Sequence, residues 1–185
     1  IMGTLKTTNI ESISGSGTVT LGTSGETFTV PTGVTVAGGL ANTPAFMAVM
    51  GSDDTLATGS FTKATFDTEV FDTDSAFAAN KFTVPSGGAG KYVLHGHIYL
   101  HTIDDGNQVE ARFYKNGSDA GSASVGEATL RWISPGADKT MDMGWTWIGT
   151  LAEDDYIELF VMQNNGDSQT LYRSTWIAGF RLIGV

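Results

Sequence analysis

The stretch from Phe66 to Gly96, FDTEVFDTDSAFAANKFTVPSGGAGKYVLHG, leaves this chain few choices of fold. Its fixed points are Phe66, Asp72, Phe77, Gly90, Tyr92 and Leu94, separated by 6, 5, 13, 2 and 2 residues. Pro85, Gly87, Gly88 and Gly90 break any helix and offer the left-handed backbone positions a tight turn needs. The spacing predicts a strand, a loop ending at Asp72, an aromatic anchor at Phe77, a second strand KFTVP, and a turn that delivers the long strand KYVLHGHIYLH. On that last strand alternate side chains divide between two faces. Tyr92, Leu94, Gly96, Ile98 and Leu100 form one, which reads as core. Val93, His95, His97, Tyr99 and His101 form the other, which carries all three histidines of the chain.

Downstream the same period-two alternation recurs. VEARFYK runs into the hairpin signal Asn116-Gly117; EATLRWIS and the turn PGADK follow; then comes MDMGWTWIGTL, with Met141, Met143, Trp145 and Trp147 on one side. LAEDDYIELFVMQN places Ile157, Leu159 and Val161 in the core, and STWIAGFRLIGV closes the chain. Upstream, NTPAFMAVMG opens the domain after a boundary near residue 43, Gly51 to Thr58 reads as a polar loop, and Ser60 to Asp67 as a short strand. No window keeps a 3.6-residue period beyond two turns. About nine or ten short strands with turn signals every 8 to 14 residues predict an all-β sandwich.

Residues 1–43 differ in composition: Thr, Ser, Gly and Val dominate and Phe28 is the only aromatic. Apolar pulses at Val19/Leu21, Phe28/Val30 and Val34/Val36 alternate with polar residues, and too little apolar surface is present for them to fold alone. An extended tail is one reading. The alternation favours another, a stem in which three chains wrap around one another.

The fixed points of Phe66 to Gly96 resemble the signature of the C1q-like domain, a jelly roll shared with the tumour necrosis factor superfamily. Phe66, Asp72, Phe77, Gly90 and Tyr92 match in type and spacing. Val84 stands where Phe is usual, with Phe82 two residues earlier on the same strand face, Leu94 replaces Phe, and Gly96 replaces an aromatic. The resemblance spans about residues 44–185. It implies a C1q/TNF-like jelly-roll β-sandwich, a last strand that returns beside the first, and a homotrimer in which the sheet face bearing the histidines lies against neighbouring subunits. The opening TLKTTNIESISGSGTVTLGTSG resembles the starts of small phage virion and tail-fibre segments, which implies attachment of residues 1–43 to other virion proteins.

An argument from packing leads to the same assembly. Several strands are apolar on both faces: Trp145 and Trp147 with Ile148, Trp176 and Phe180 with Ile177 and Ile183, Tyr99 opposite Leu100. Surplus aromatic surface of this kind marks an interface, and a closed three-fold ring buries it. The expected trimer interface is therefore His95, His97, Tyr99, His101, Trp145, Trp147 and Trp176.

Twenty acidic against ten basic residues give a net charge of −10. With no Lys/Arg cluster, neither nucleic acid nor an anionic membrane surface is an expected partner. No apolar run approaches the ~18–20 residues of a membrane helix. Absence of cysteine excludes disulfides and thiolate metal sites; with no signal-peptide h-region at the start, it suits folding in a reducing cytoplasm and export by a non-secretory route.

Three copies of an HxH pair supply six imidazoles, so His95 and His97 are the candidate ligands of a transition metal on the three-fold axis, a use that the resemblance to phage fibres also implies. The bland reading is that they are interface residues bonded to their neighbours. The acidic pairs Asp53/Asp54, Asp72/Asp74, Asp104/Asp105 and Asp154/Asp155 are the calcium candidates, though none has an EF-hand layout and solvated turn carboxylates explain them equally. Tyr114, Trp132 and Tyr172 are candidate sugar-stacking rings. No GxSxG, HExxH or P-loop is present, and no enzyme is expected. The reading is a trimeric virion appendage, a tail fibre or similar, whose head binds a host-surface glycan or protein. The alternatives are a capsid decoration or other tail protein whose head only trimerises, and a bacterial cell-surface C1q-like adhesin.

Overall fold

A computed structural model describes residues 43–119 and 128–182. The expected attachment and stem segment, residues 1–43, lies outside the described residues except for Thr43. Within them the strands are β1 Ala45–Val49, β2 Asp54–Leu56, β3 Thr62–Lys63, β4 Thr68–Asp72, β5 Phe77–Ala78, β6 Lys81–Thr83, β7 Gly90–Ile103, β8 Gln108–Lys115, β9 Ser118–Asp119, β10 Thr129–Ile133, β11 Lys139–Leu151, β12 Tyr156–Gln163, β13 Gln169–Leu171 and β14 Trp176–Arg181. No helix among the described residues is long and apolar enough to cross a membrane.

The strands form two antiparallel sheets. The first runs β2-β13-β7-β14-β1-β4, with β11 also paired to β7; the second runs β10-β8-β12-β6-β5, with β3 on β12 and β9 on β8. β7 is the spine of the first sheet. One edge pairs with β11 from Gly90 to Ile103, and the other takes β14 and then β13. The last strand returns beside the first, with Ala45 opposite Phe180 and Val49 opposite Trp176.

Between the sheets lies a core that includes the signature residues Phe66, Phe77, Tyr92 and Leu94. The Phe46 ring stacks on Phe82 at 4.4 Å and on Phe77 at 5.3 Å, and Tyr92 packs against Phe82 at 5.5 Å. The expected core face of β7 is buried, as are Ile157, Leu159 and Val161. Asp72 earns its place through the backbone, accepting from the N–H of Phe77 at 2.7 Å and of Asp74 at 3.3 Å. Tyr92 donates its hydroxyl to the Gly88 carbonyl at 2.6 Å, tying the spine to the turn before it.

Several boundaries differ from expectation. The segment leading to Asp72 is not a loop but the edge strand β4, paired to β1 through a bulge between Met47 and Ala48. The polar loop Gly51 to Thr58 contains β2, whose Leu56 is fully buried, and the strand expected over Ser60 to Asp67 shrinks to Thr62–Lys63. A three-residue strand with one apolar residue shows no period, so neighbouring strands and not its own sequence define it. The strand count accordingly exceeds nine or ten.

Candidate functional site

The outward face of the first sheet is the unusual surface of the head. Strand alternation and register place its side chains in rows across the sheet. One row is Ala45, Phe180, Val93 and Ile148; the next is Phe71, Met47, Ala178, His95 and Thr146; a third is Val49, Trp176, His97 and Gly144. Ile148 is 58% exposed, and Phe71 and Phe180 are also large and solvent-facing. Apolar and aromatic groups therefore cover this face where charged side chains are usual for a solvated sheet.

The histidines sit in the middle of it. The Trp176 ring lies between His95 and His97, stacked at 4.9 Å and 5.5 Å, while His101, Tyr99 and Tyr172 make mutual edge contacts at 4.7 to 5.6 Å. His95 Nδ1 bonds Thr146 Oγ1 at 2.9 Å and His101 Nδ1 bonds Thr140 Oγ1 at 3.1 Å. His97 uses both ring nitrogens, Nδ1 with the Ser174 carbonyl at 3.2 Å and Nε2 with Asp142 Oδ1 at 2.8 Å. Burial first, and the neighbouring His97 second, hold the His95 imidazole below its ordinary pKa.

Two expected interface residues belong elsewhere. Trp145 and Trp147 are 9% and 3% exposed within a single chain and face the core. Two glycines make room for them, Gly96 on the facing strand and Gly149 two residues along β11: a Cβ on Gly96 would stand 2.4 Å from Trp145 Cη2, and one on Gly149 2.0 Å from Trp147 Cζ2. The aromatic missing at Gly96 of the signature is thus supplied from β11. Strand parity sends Ile148, between them, outward in their stead.

The other candidate residues are also placed. Tyr172 packs on His101, Trp132 packs against the core, and Tyr114 lies on the second sheet stacked on Phe160 at 4.1 Å. The acidic pairs serve turns: Asp53 accepts from the Arg173 N–H, Asp54 from Thr65, and Asp155 from Ala152, with Lys115 2.7 Å away. Among the described residues no group of three or more His, Asp or Glu side chains could hold a metal within one chain. Within one chain His97 uses both ring nitrogens in hydrogen bonds and His95 uses Nδ1, so a six-imidazole centre would require the two His97 bonds to be given up. Sequence reading missed Asp142, Thr146 and Ser174 as partners of the histidines, since only the register of β11 and the turn before β14 brings them there.

No protein-family model matches the chain, and no curated protein matches it. Solved structures do. The globular domain of zebrafish complement 1qA superposes with a TM-score of 0.52 at 15% identity, covering 75% of this chain and 97% of that one. Murine APRIL superposes at 0.51 with 16% identity, covering 75% and 98%. The fold is a C1q/TNF-like jelly roll. In this jelly roll Phe66, Phe77 and Tyr92 lie in the core, Asp72 ties β4 to β5, Gly90 opens β7, and the face bearing the histidines remains outside.

Proposed function

We propose that this protein is a trimeric, non-enzymatic virion appendage whose C1q-like head binds the host surface. The observation that carries the assembly is the outward apolar face of the first sheet, with Ile148, Phe180, Phe71, Met47 and Trp176 in adjoining rows. A surface so uncharged, in a chain of net charge −10, favours self-association over solvation. Three copies arranged about an axis bury it in a closed ring. The resemblance of the head to the C1q and tumour necrosis factor class supports the number three. The virion assignment rests on the opening segment, whose likeness to phage fibre starts supports attachment through residues 1–43. Binding by three equivalent sites per head would gain avidity without any single tight contact.

Sedimentation analysis of the purified protein tests the assembly. Three chains of 19.5 kDa give a species of about 58 kDa, and a stable 19.5 kDa species at micromolar concentration would refute it. Antibody labelling of intact particles tests the location: decoration of tail or capsid projections supports the virion reading, and unlabelled particles refute it.

A further inference from the structure

Two Asn-Gly pairs lie in turns of the head, Asn116-Gly117 and Asn165-Gly166. Such a pair carries its own reaction. The glycine nitrogen, once deprotonated, attacks the carbonyl carbon of the Asn side chain, and a residue without a Cβ leaves that approach open. How fast this happens in a folded chain depends on what must open before the two atoms can meet. The two pairs are held very differently.

Asn165 is locked. Its Oδ1 accepts from the Asp104 N–H at 2.7 Å and from Asn107 Nδ2 at 3.0 Å, and its Nδ2 donates to the Thr102 carbonyl at 3.2 Å and to Asp167 Oδ1 at 3.3 Å. The Gly166 N–H is itself bonded to Thr58 Oγ1 at 3.2 Å. The end of β7, the turn after it and the segment at Thr58 would have to let go together. Asn116 is held by one segment alone. Its N–H donates to the Tyr156 carbonyl at 3.0 Å, its Oδ1 accepts from the Tyr156 N–H at 2.9 Å, and its Nδ2 donates to Asp155 Oδ1 at 2.7 Å. It sits at the tip of the hairpin from β8 to β9, and β9 is two residues long and pairs only with β8 among the described residues. Gly117 is exposed, and its N–H has no hydrogen-bond partner among the described residues.

We infer that Asn116 is a site of spontaneous deamidation, and that the modification loosens the turn this residue holds. The Gly117 nitrogen forms a bond to Asn116 Cγ, the Cγ–Nδ2 bond breaks, and the amide leaves as ammonia with the proton given up by the Gly117 N–H. Water then opens the cyclic imide at either carbonyl and leaves aspartate or isoaspartate; nothing is oxidised or reduced. The product is badly matched to its surroundings. The Asp155 carboxylate takes Lys115 Nζ at 2.7 Å, the Ala152 N–H at 2.7 Å and the Asn116 amide. Burial by itself raises the Asp155 pKa, yet these donors outweigh it and hold the carboxyl below its ordinary value. A carboxylate at position 116 replaces one of the donors with a second negative charge. Isoaspartate also inserts an extra backbone carbon into a two-residue turn and so breaks the pairing of Lys115 with Ser118. The segment from Ala152 to Tyr156 leads into β12, which lies between β8 and β6 in the second sheet.

The test is storage of the full chain at mildly alkaline pH, folded and in parallel unfolded in urea. Aliquots are digested with pepsin in acid, where the reaction stops, and mapped by mass spectrometry for the exchange of amide for acid. In urea both Asn-Gly pairs should convert at similar rates. In the folded chain Asn116 should convert while Asn165 lags by about tenfold or more, the protection its extra bonds confer. Asn116→Asp supplies the product without the reaction and should melt below the wild type, and adding Asp155→Asn, which removes the facing charge, should recover part of the loss. Equal conversion of the two sites in the folded chain would overturn the site. So would an intact Asn116 after the unfolded chain has fully converted. Melting of Asn116→Asp together with the wild type would overturn the loosening.

Discussion

At the scale of single residues, the core is decided by who yields space to whom. Gly96 is the clearest case, because its missing side chain is what lets the Trp145 ring enter the sandwich. Gly96→Ala is expected to destabilise the head by ~1–3 kcal/mol, an overpacking cost read as a lower urea midpoint at unchanged slope. Tyr92 is a second case. Burial chiefly raises its hydroxyl pKa to about 12, opposed by Arg181 and assisted by Asp74. The folded state thus holds this proton more tightly than the unfolded one, whose pKa is near the ordinary 10.0. Stability from the group is complete below pH 10 and is lost as pH rises toward about 12. Chemical denaturation across that range should show the fall, and Tyr92→Phe should flatten its dependence on pH while costing ~1 kcal/mol at neutral pH through the lost bond to Gly88. The signature residues themselves were legible because their types and spacing are properties of the chain. The role of Gly96 was not, since its partner lies 49 residues away and only the pairing of β11 with β7 places Trp145 opposite it.

Among the elements, the long strands could be read, as could β1 and the three-residue β6 within KFTVP, but β2 and β4 could not. β7, β8, β11, β12 and β14 each carry several alternating apolar residues, and their own period announced them. The Asn116-Gly117 turn was equally plain, and both residues adopt positive φ, 54° and 77°. β2, β3 and β4 have too few apolar positions for a period to appear, and hydrogen bonds from β13, β12 and β1 make them strands. Asp72 shows how a loop residue sets an element: it joins the end of β4 to the start of β5 through the Phe77 N–H. Asp72→Ala should cost ~1–3 kcal/mol by leaving that donor without its acceptor, and Asp72→Asn, which keeps an oxygen there, should recover most of it in the same thermal melts.

Across the whole molecule, the outward face of the first sheet, apolar and rich in histidine, carries the argument for assembly. Ile148 is its sharpest probe, because it is exposed in the single chain and makes no contribution to the core. Ile148→Lys should convert the sedimenting species from about 58 kDa to 19.5 kDa while leaving the far-ultraviolet spectrum unchanged. An assembly untouched by the substitution would mean that another surface joins the copies. Of the aromatic residues expected at an interface, Trp176, Phe180 and Tyr99 lie on the outward face, whereas Trp145 and Trp147 face the core.

Sequence alone determined the all-β class, the long strands, the two faces of β7 and the gathering of every histidine on one of them. Those follow from period-two geometry, which is local and needs no partner. Only the tertiary structure decided which aromatic residues of β11 go inward and that both His97 nitrogens are already engaged. Each of these depends on a side chain from a distant strand, and alternation along one strand carries no information about what the register sets against it.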